Sequence, residues 1–335
     1  MKVETAMKMK AALYYGFGEA KDVLKTEAIQ VPEIGPGQVR VKLFASGVNP
    51  SDYKMRRGSR PLMGEWQIPG SDGAGMIDGV GDGVPVSRIG ERVWILNAAY
   101  LRPLGTSAQY TVVENWMAQR LPDRLSYAEG ACLGIPVMTA HQCVFGDGPI
   151  RGKTILVAGG AGVVGHYAIQ LAKWGGASVI STISSAEKAK SALQAGADAV
   201  INYRQEDVEN RVKEITNGEL VDRIIEVDFG ANLELNSKIL KSGGVSVMYA
   251  YTTQPQLPLP IPTLMSKNIT LKFTLVYTIS DFDRQKIFDD MQKWLEETRP
   301  IFQIAREFKL DEVVKAHELV ESGKKIGHVL LRIDH

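Results

Sequence analysis

Lys153-Thr154-Ile155-Leu156-Val157-Ala158-Gly159-Gly160-Ala161-Gly162-Val163-Val164-Gly165 is a short apolar run ending in a glycine turn, and a helical pattern follows over 164–174. The run reads as a buried strand. The turn carries Gly160-x-Gly162-x-x-Gly165 between a strand and a helix, the context in which that spacing has physical meaning. The first glycine permits the tight turn, the second lets a pyrophosphate approach the backbone, and the third lets the helix pack close to the strand. A helix N-terminus offers free N–H groups and a partial positive charge. Gly159, Gly160, Ala161, Gly162, Val163, Val164 and Gly165 are therefore expected to hold a dinucleotide.

Outward from this turn, apolar runs recur at 177–183, 199–201, 221–227, 245–249 and 269–276, with helical patterns at 187–195 and 233–240. Alternating strands and helices predict an α/β fold, a Rossmann doubly wound parallel sheet over 126–279. The segment 126–145 reads as a helix broken near Gly134-Ile135-Pro136. Residues 1–125 read differently. Val39, Val41, Leu43 and Ala45 alternate with Arg40 and Lys42, the mark of a half-buried strand. Short runs at 11–15, 76–80, 92–96 and 108–113 lie between Gly/Pro clusters, which suggests a barrel-like β domain. Helices are predicted at 283–297 and 311–321. A strand at 329–333 could return to the first domain, so 280–335 is assigned with 1–125.

The tip of the second Rossmann strand, Ser181-Thr182-Ile183-Ser184-Ser185, carries no acid. An acid there bonds the ribose 2′-hydroxyl of NAD and would repel a 2′-phosphate, so its absence favours NADPH. Ser184 lies at this tip, and Lys188 just beyond it supplies a cation. Ser184-x-x-Glu187 matches a capping box, which would turn Glu187 back toward the helix start.

The chain has 335 residues, 44% of them hydrophobic and 23% charged, with net charge +1. Nucleic acid is not expected as a main partner, because phosphate binding needs clustered cations. No window approaches a membrane span, so no membrane partner is expected either. Cys132 and Cys143 make no disulfide framework, and the count suits a reducing cytoplasm. The first few residues are expected to be loosely held. Arg56, Arg57 and Arg60 read as a solvated basic face.

Gly47-Val48-Asn49-Pro50-Ser51-Asp52-Tyr53, Pro69-Gly70-Ser71-Asp72-Gly73-Ala74-Gly75, Gly90-Glu91-Arg92-Val93, the glycine turn, the segment 195–203, and Gly327-His328-Val329-Leu330 together resemble the medium-chain dehydrogenase/reductase superfamily. The resemblance covers almost the whole chain and is strongest to zeta-crystallin-like NADPH:quinone oxidoreductases. It implies a GroES-like β-rich catalytic domain beside the Rossmann domain, with an active site in the cleft between them. It implies that Lys188 and Tyr203 sit by the 2′-phosphate and Thr139 near the nicotinamide. Tyr249, Ala250 and Tyr251 would line the nicotinamide pocket, and Asn49 would face the reacting centre. It also implies a homodimer, with 269–276 as an exposed sheet edge open to pairing.

Zinc-dependent members of that superfamily place a cysteine where this chain has Asn49 and a His-Glu pair where it has Ser71-Asp72. No four-cysteine lobe is present, and His141 and Cys143 lie two apart on a predicted helix and so point apart. No metal site is expected. The expected reaction is zinc-independent reduction of a quinone by NADPH, by hydride or single-electron transfer. Asn49 would donate to the acceptor oxygen, and Tyr53 and Lys54 would line the pocket or deliver a proton. The alternatives are an alkenal or enone double-bond reductase and, from another class, a non-catalytic NADPH- or RNA-binding protein of crystallin type.

Overall fold

The apolar runs between residues 154 and 273 enter one six-stranded sheet in a computed structural model that describes residues 7–250 and 256–335. The expectation for the first few residues falls largely on 1–6, outside the described residues. The chain divides into two units, Met1–Ile135 with Phe302–His335, and Pro136–Ile301.

In the second unit the strands lie in the order Ala199–Asn202, Ser178–Ile183, Thr154–Val157, Val221–Glu226, Leu240–Met248, Thr270–Phe273, all neighbours parallel. The order reverses at Thr154–Val157, as in a doubly wound sheet. Leu156, Ile180, Ile201 and Ile224 pack with Val208, Val212 and Ile239 from the flanking helices. The glycine turn follows the first strand of this sheet and opens the helix Val163–Trp174.

In the first unit a seven-stranded sheet is built around the long strand Gln38–Val48, which pairs antiparallel with Asp72–Val80, Tyr110–Glu114 and His328–Arg332. The final strand thus returns to the β-rich unit, as read from the sequence. Val39, Val41, Leu43 and Ile77 form its core with Val93, Ile95 and Val113. A separate pair of strands, Lys8–Leu13 and Lys25–Gln30, lies antiparallel.

Several boundaries move. The divisions read at 125/126 and 279/280 lie at 135/136 and 301/302. The helix Asp281–Glu297 goes with the second unit because its stripe Ile287, Met291, Trp294 and Leu295 is buried. Trp294 packs edge-on to Tyr167, and Trp174 donates to the Glu297 carboxylate at 2.8 Å. Pro136 does not break its helix. The break falls at residues 131–133, and Pro136 sits in the first turn of Gly134–Phe145, where a missing N–H costs nothing. The run 269–276 shortens to the strand Thr270–Phe273, followed by a 3-10 turn at Val276–Thr278.

Candidate functional site

Gly159 has φ +66°, in the left-handed region that favours glycine. A Cβ on Gly165 would lie 2.7 Å from the Gly159 carbonyl oxygen and 2.9 Å from Gly160 Cα, so the helix start is seated directly on the turn. Its N-cap is Gly162, which has no side chain to satisfy the first-turn N–H groups. Gly159, Gly160, Ala161, Gly162, Val163, Val164 and Gly165 thus form a cradle of backbone donors at a helix N-terminus, which fits a pyrophosphate.

One strand over, the tip of Ser178–Ile183 opens into a pocket of about 520 Å³, with Ser184, Ser185, Asn202, Arg204, Gln205 and Glu206 in its wall. This is the position that the ribose 2′-end takes next to a glycine turn. Lys188 Nζ donates to Ser184 Oγ at 3.0 Å, so these two expected residues come together. The capping box read at Ser184 does not form, and the N-cap falls one residue later. Ser185 is the N-cap, its Oγ accepting from Lys188 N, and Glu187 lies exposed in the first turn. The Ser184-x-x-Glu187 spacing pointed to Ser184, but the strand runs through Ile183 and the helix starts at Ala186, which puts Ser185 at the cap. Tyr203 donates its N–H to the Ile183 carbonyl at 3.1 Å and exposes about half its side chain. Arg204, next to it, was not singled out from the sequence, although a cation beside Tyr203 was legible there.

Thr139 is buried on Gly134–Phe145. Tyr249 follows the strand Leu240–Met248, its N–H held by the Glu226 carbonyl at 3.2 Å, and Ala250 is half-buried beside it. Tyr251 lies outside the described residues.

In the first unit, Asn49 follows the strand Gln38–Val48 and caps the helix Pro50–Arg56. It is buried, and its amide Nδ2 donates to Asp72 Oδ2 at 2.6 Å. Asp72 Oδ1 accepts from Ile135 N at 2.9 Å. Asp52 accepts from Asn49 N at 2.7 Å and from Gly70 N at 3.2 Å. Two buried carboxyls therefore hold Asn49, one at its backbone and one at its side chain. Sequence reasoning had weighed Asp72 only as a missing metal ligand. Tyr53 packs half-buried against a core containing Tyr14, Leu24 and Val48, and Lys54 is exposed. Neither takes part in the hydrogen bonds among Asn49, Asp52 and Asp72.

Burial pushes the Asp72 carboxyl up to about 8 and that of Asp52 up to about 7, against the opposing pull of the N–H groups around them. The unfolded value lies near 3.9, so over the window up to about 8 the folded chain keeps a proton that the unfolded chain has lost. Stability is therefore expected to fall as pH rises through that window, by up to about 1.4 kcal/mol for each pH unit in which one such group titrates. Urea unfolding at pH 5 and pH 9 checks this. Asp72→Asn is expected to flatten the fall, and an equal fall in variant and parent would contradict it.

The basic run is a solvated face only in part: Arg57 is exposed, but Arg56 is not. Arg56 is fully buried, donates to the Gly18 carbonyl and pairs with Glu321 at 2.8 Å. Arg57 pairs with Glu19 and Glu321, and Arg60 lies over the Tyr100 ring. The reason is tertiary: Glu321 approaches from the helix Val313–Glu321 near the other end of the chain. Both cysteines are buried, and burial pushes the Cys143 thiol up to about 12. His141 bonds to Asp290 at 2.9 Å. Among the described residues, no three His, Cys, Asp or Glu side chains gather as metal ligands.

Residues 35–123 match the family described as alcohol dehydrogenase GroES-like domain, and residues 163–295 the family described as zinc-binding dehydrogenase. A rat quinone oxidoreductase is 30% identical over 331 residues, covering 96% of this chain and 97% of the relative. A tomato 2-methylene-furan-3-one reductase is 32% identical, covering 96% of this chain and 79% of the relative. A mycobacterial protein solved in complex with NADPH superposes with a TM-score of 0.83 at 26% identity, covering 97% of this chain and 100% of that one.

Proposed function

Because the chain belongs to the medium-chain dehydrogenase/reductase superfamily, in its quinone oxidoreductase type, we propose that it reduces quinones with NADPH and without zinc. The observation that carries this reading is the glycine cradle beside a pocket whose wall carries Ser184 and Arg204, with Lys188 bonded to Ser184. NADPH supplies the hydride when bound. The chain's own residues do the rest. The turn residues 159–165 hold the pyrophosphate, and Lys188, Tyr203 and Arg204 serve the 2′-phosphate. Thr139, Tyr249, Ala250 and Tyr251 serve the nicotinamide end.

Asn49 supplies the polar contact to the acceptor. A side-chain amide has two N–H donors. Asp72 takes one and fixes the amide's orientation, leaving the other for a quinone oxygen. Tyr53 and Lys54 are kept as candidates to line the acceptor site and return a proton, with Tyr53 the more firmly placed by its packing.

The family description of residues 163–295 names zinc, but the residues support a reaction without it. A zinc ligand set needs three protein donors. Among the described residues no three such side chains gather. A quinone spreads developing negative charge by conjugation, so it depends less on a Lewis acid than an alcohol does.

The tomato relative supports a second reading, hydride addition to a double bond conjugated to a ketone. NADPH oxidation with 1,4-benzoquinone, 9,10-phenanthrenequinone and an α-methylene ketone separates the two. The account expects kcat/KM for the quinones to exceed that for the ketone about tenfold or more, a difference of about 1.4 kcal/mol in the transition state. The reverse order would make the chain an enone reductase.

The homodimer and the cytoplasmic location belong to the same proposal. Thr270–Phe273 is the edge strand of the parallel sheet, and Phe273 exposes 74% and nearby Met265 71% of their surface. An apolar open edge favours pairing with a second copy. Sedimentation equilibrium is expected to give a dimer, and Phe273→Glu to shift it toward monomer; a monomeric parent would remove the proposal. Two buried free cysteines suit a reducing compartment. Among the described residues, no helix is long and apolar enough to cross a membrane. Cell fractionation that recovered the protein outside the cytoplasm would contradict that location.

A further inference from the structure

Glu206 places a carboxylate in the wall of the pocket at the second strand's tip, where a 2′-phosphate would suffer from it. Both of its oxygens are already engaged. Oε1 accepts the Asn202 N–H at 2.7 Å, and Oε2 forms an ion pair with Arg211 Nε at 2.9 Å. The turn that carries it is closed by its own hydrogen bonds, from Gln205 N and Glu206 N to the Asn202 carbonyl, each 2.9 Å. Arg211 reaches back from the helix Val208–Ile215, which begins just after this turn. Arg204, on the same turn, lines the pocket, and among the described residues no carboxylate pairs with its guanidinium.

We propose that Arg211, whose guanidinium Glu206 shares with Glu214, is a positioning residue for cofactor choice: it holds Glu206 and offsets part of its charge, so that the pocket accepts a 2′-phosphate. The proposal rests on the NADPH reading above and deepens it. Without Arg211, the Glu206 charge does two things. It opposes a phosphate dianion at short range. It also offers itself to Arg204, two residues away, and so withdraws the cation that the phosphate needs. A freed acid there is further able to accept the ribose 2′-hydroxyl of NADH, the contact made by the acid in NAD-type sites. Sequence inspection of the strand tip at 181–185 could not reveal this, because the acid comes from the neighbouring strand's loop.

The test is steady-state KM for NADPH and for NADH in the parent, Arg211→Ala, Glu206→Gln and the double variant. The parent is measured first, and equal KM values there would overturn the NADPH reading itself. Given a parent that prefers NADPH, Arg211→Ala is expected to raise KM for NADPH about tenfold, the pair being partly exposed and so screened. KM for NADH is expected to stay level or fall. In the Glu206→Gln background, Arg211→Ala is expected to change neither. A loss that persists in that background would show Arg211 acting on the phosphate or through the fold, and would overturn the proposal. An unchanged KM ratio in Arg211→Ala would overturn it as well.

Discussion

Gly165→Val is expected to raise the NADPH dissociation constant about a hundredfold or more, a loss of about 2.7 kcal/mol at least. The added Cβ would fall 2.7 Å from the Gly159 carbonyl oxygen and 2.9 Å from Gly160 Cα. Both are backbone atoms that cannot swing aside, so the turn and the helix start must part. Parting moves the first-turn N–H groups away from the pyrophosphate and weakens several charge-assisted contacts together. Fluorescence titration with NADPH measures the effect. A thermal melt beside it shows whether the variant remains folded. A folded Gly165→Val that binds NADPH as the parent does would show that the cradle is not where the cofactor sits.

Asn49→Ala is expected to lower kcat with 1,4-benzoquinone about a hundredfold, the usual scale for loss of one donor to developing negative charge. Asn49 belongs to neither the glycine turn nor the pocket at the second strand's tip, so KM for NADPH is expected to stay near the parent value. The substitution also removes one of two N–H donors from the buried Asp72 carboxyl. Some stability is therefore lost at neutral pH, where an unsatisfied buried acceptor costs about 1–3 kcal/mol. Kinetics at a temperature well below the variant's melting point keep the two effects apart. An unchanged kcat would remove Asn49 from the reaction and leave it a helix cap.

The parts of this account that were legible in the sequence are those whose causes are local. Gly160-x-Gly162-x-x-Gly165 needs only a strand before it and a helix after it, and both were visible as patterns. The alternation over 39–45 placed the strand at the centre of the first unit's sheet. What was missed is set by partners far along the chain. Arg56 reads as surface until Glu321 and the Gly18 carbonyl enclose it. Asp72 reads as an absent metal ligand until the fold brings it against Asn49, 23 residues earlier. Glu206 and Arg204 join the pocket at the second strand's tip only because Ala199–Asn202 pairs with Ser178–Ile183. The helix Asp281–Glu297 shows its apolar stripe plainly in sequence, but not which unit receives it. The local capping-box rule chose Ser184 where Ser185 caps the helix, and local rules did not tell that Pro136 begins a helix segment instead of breaking one.

This chain is expected to pass hydride from NADPH to a quinone with no metal in the reaction. The most direct measurement is NADPH oxidation with 1,4-benzoquinone by enzyme dialysed against a strong chelator, compared with undialysed enzyme and with dialysed enzyme given back zinc. The account predicts the same kcat in all three. A rate that collapses on dialysis and returns with zinc would contradict it.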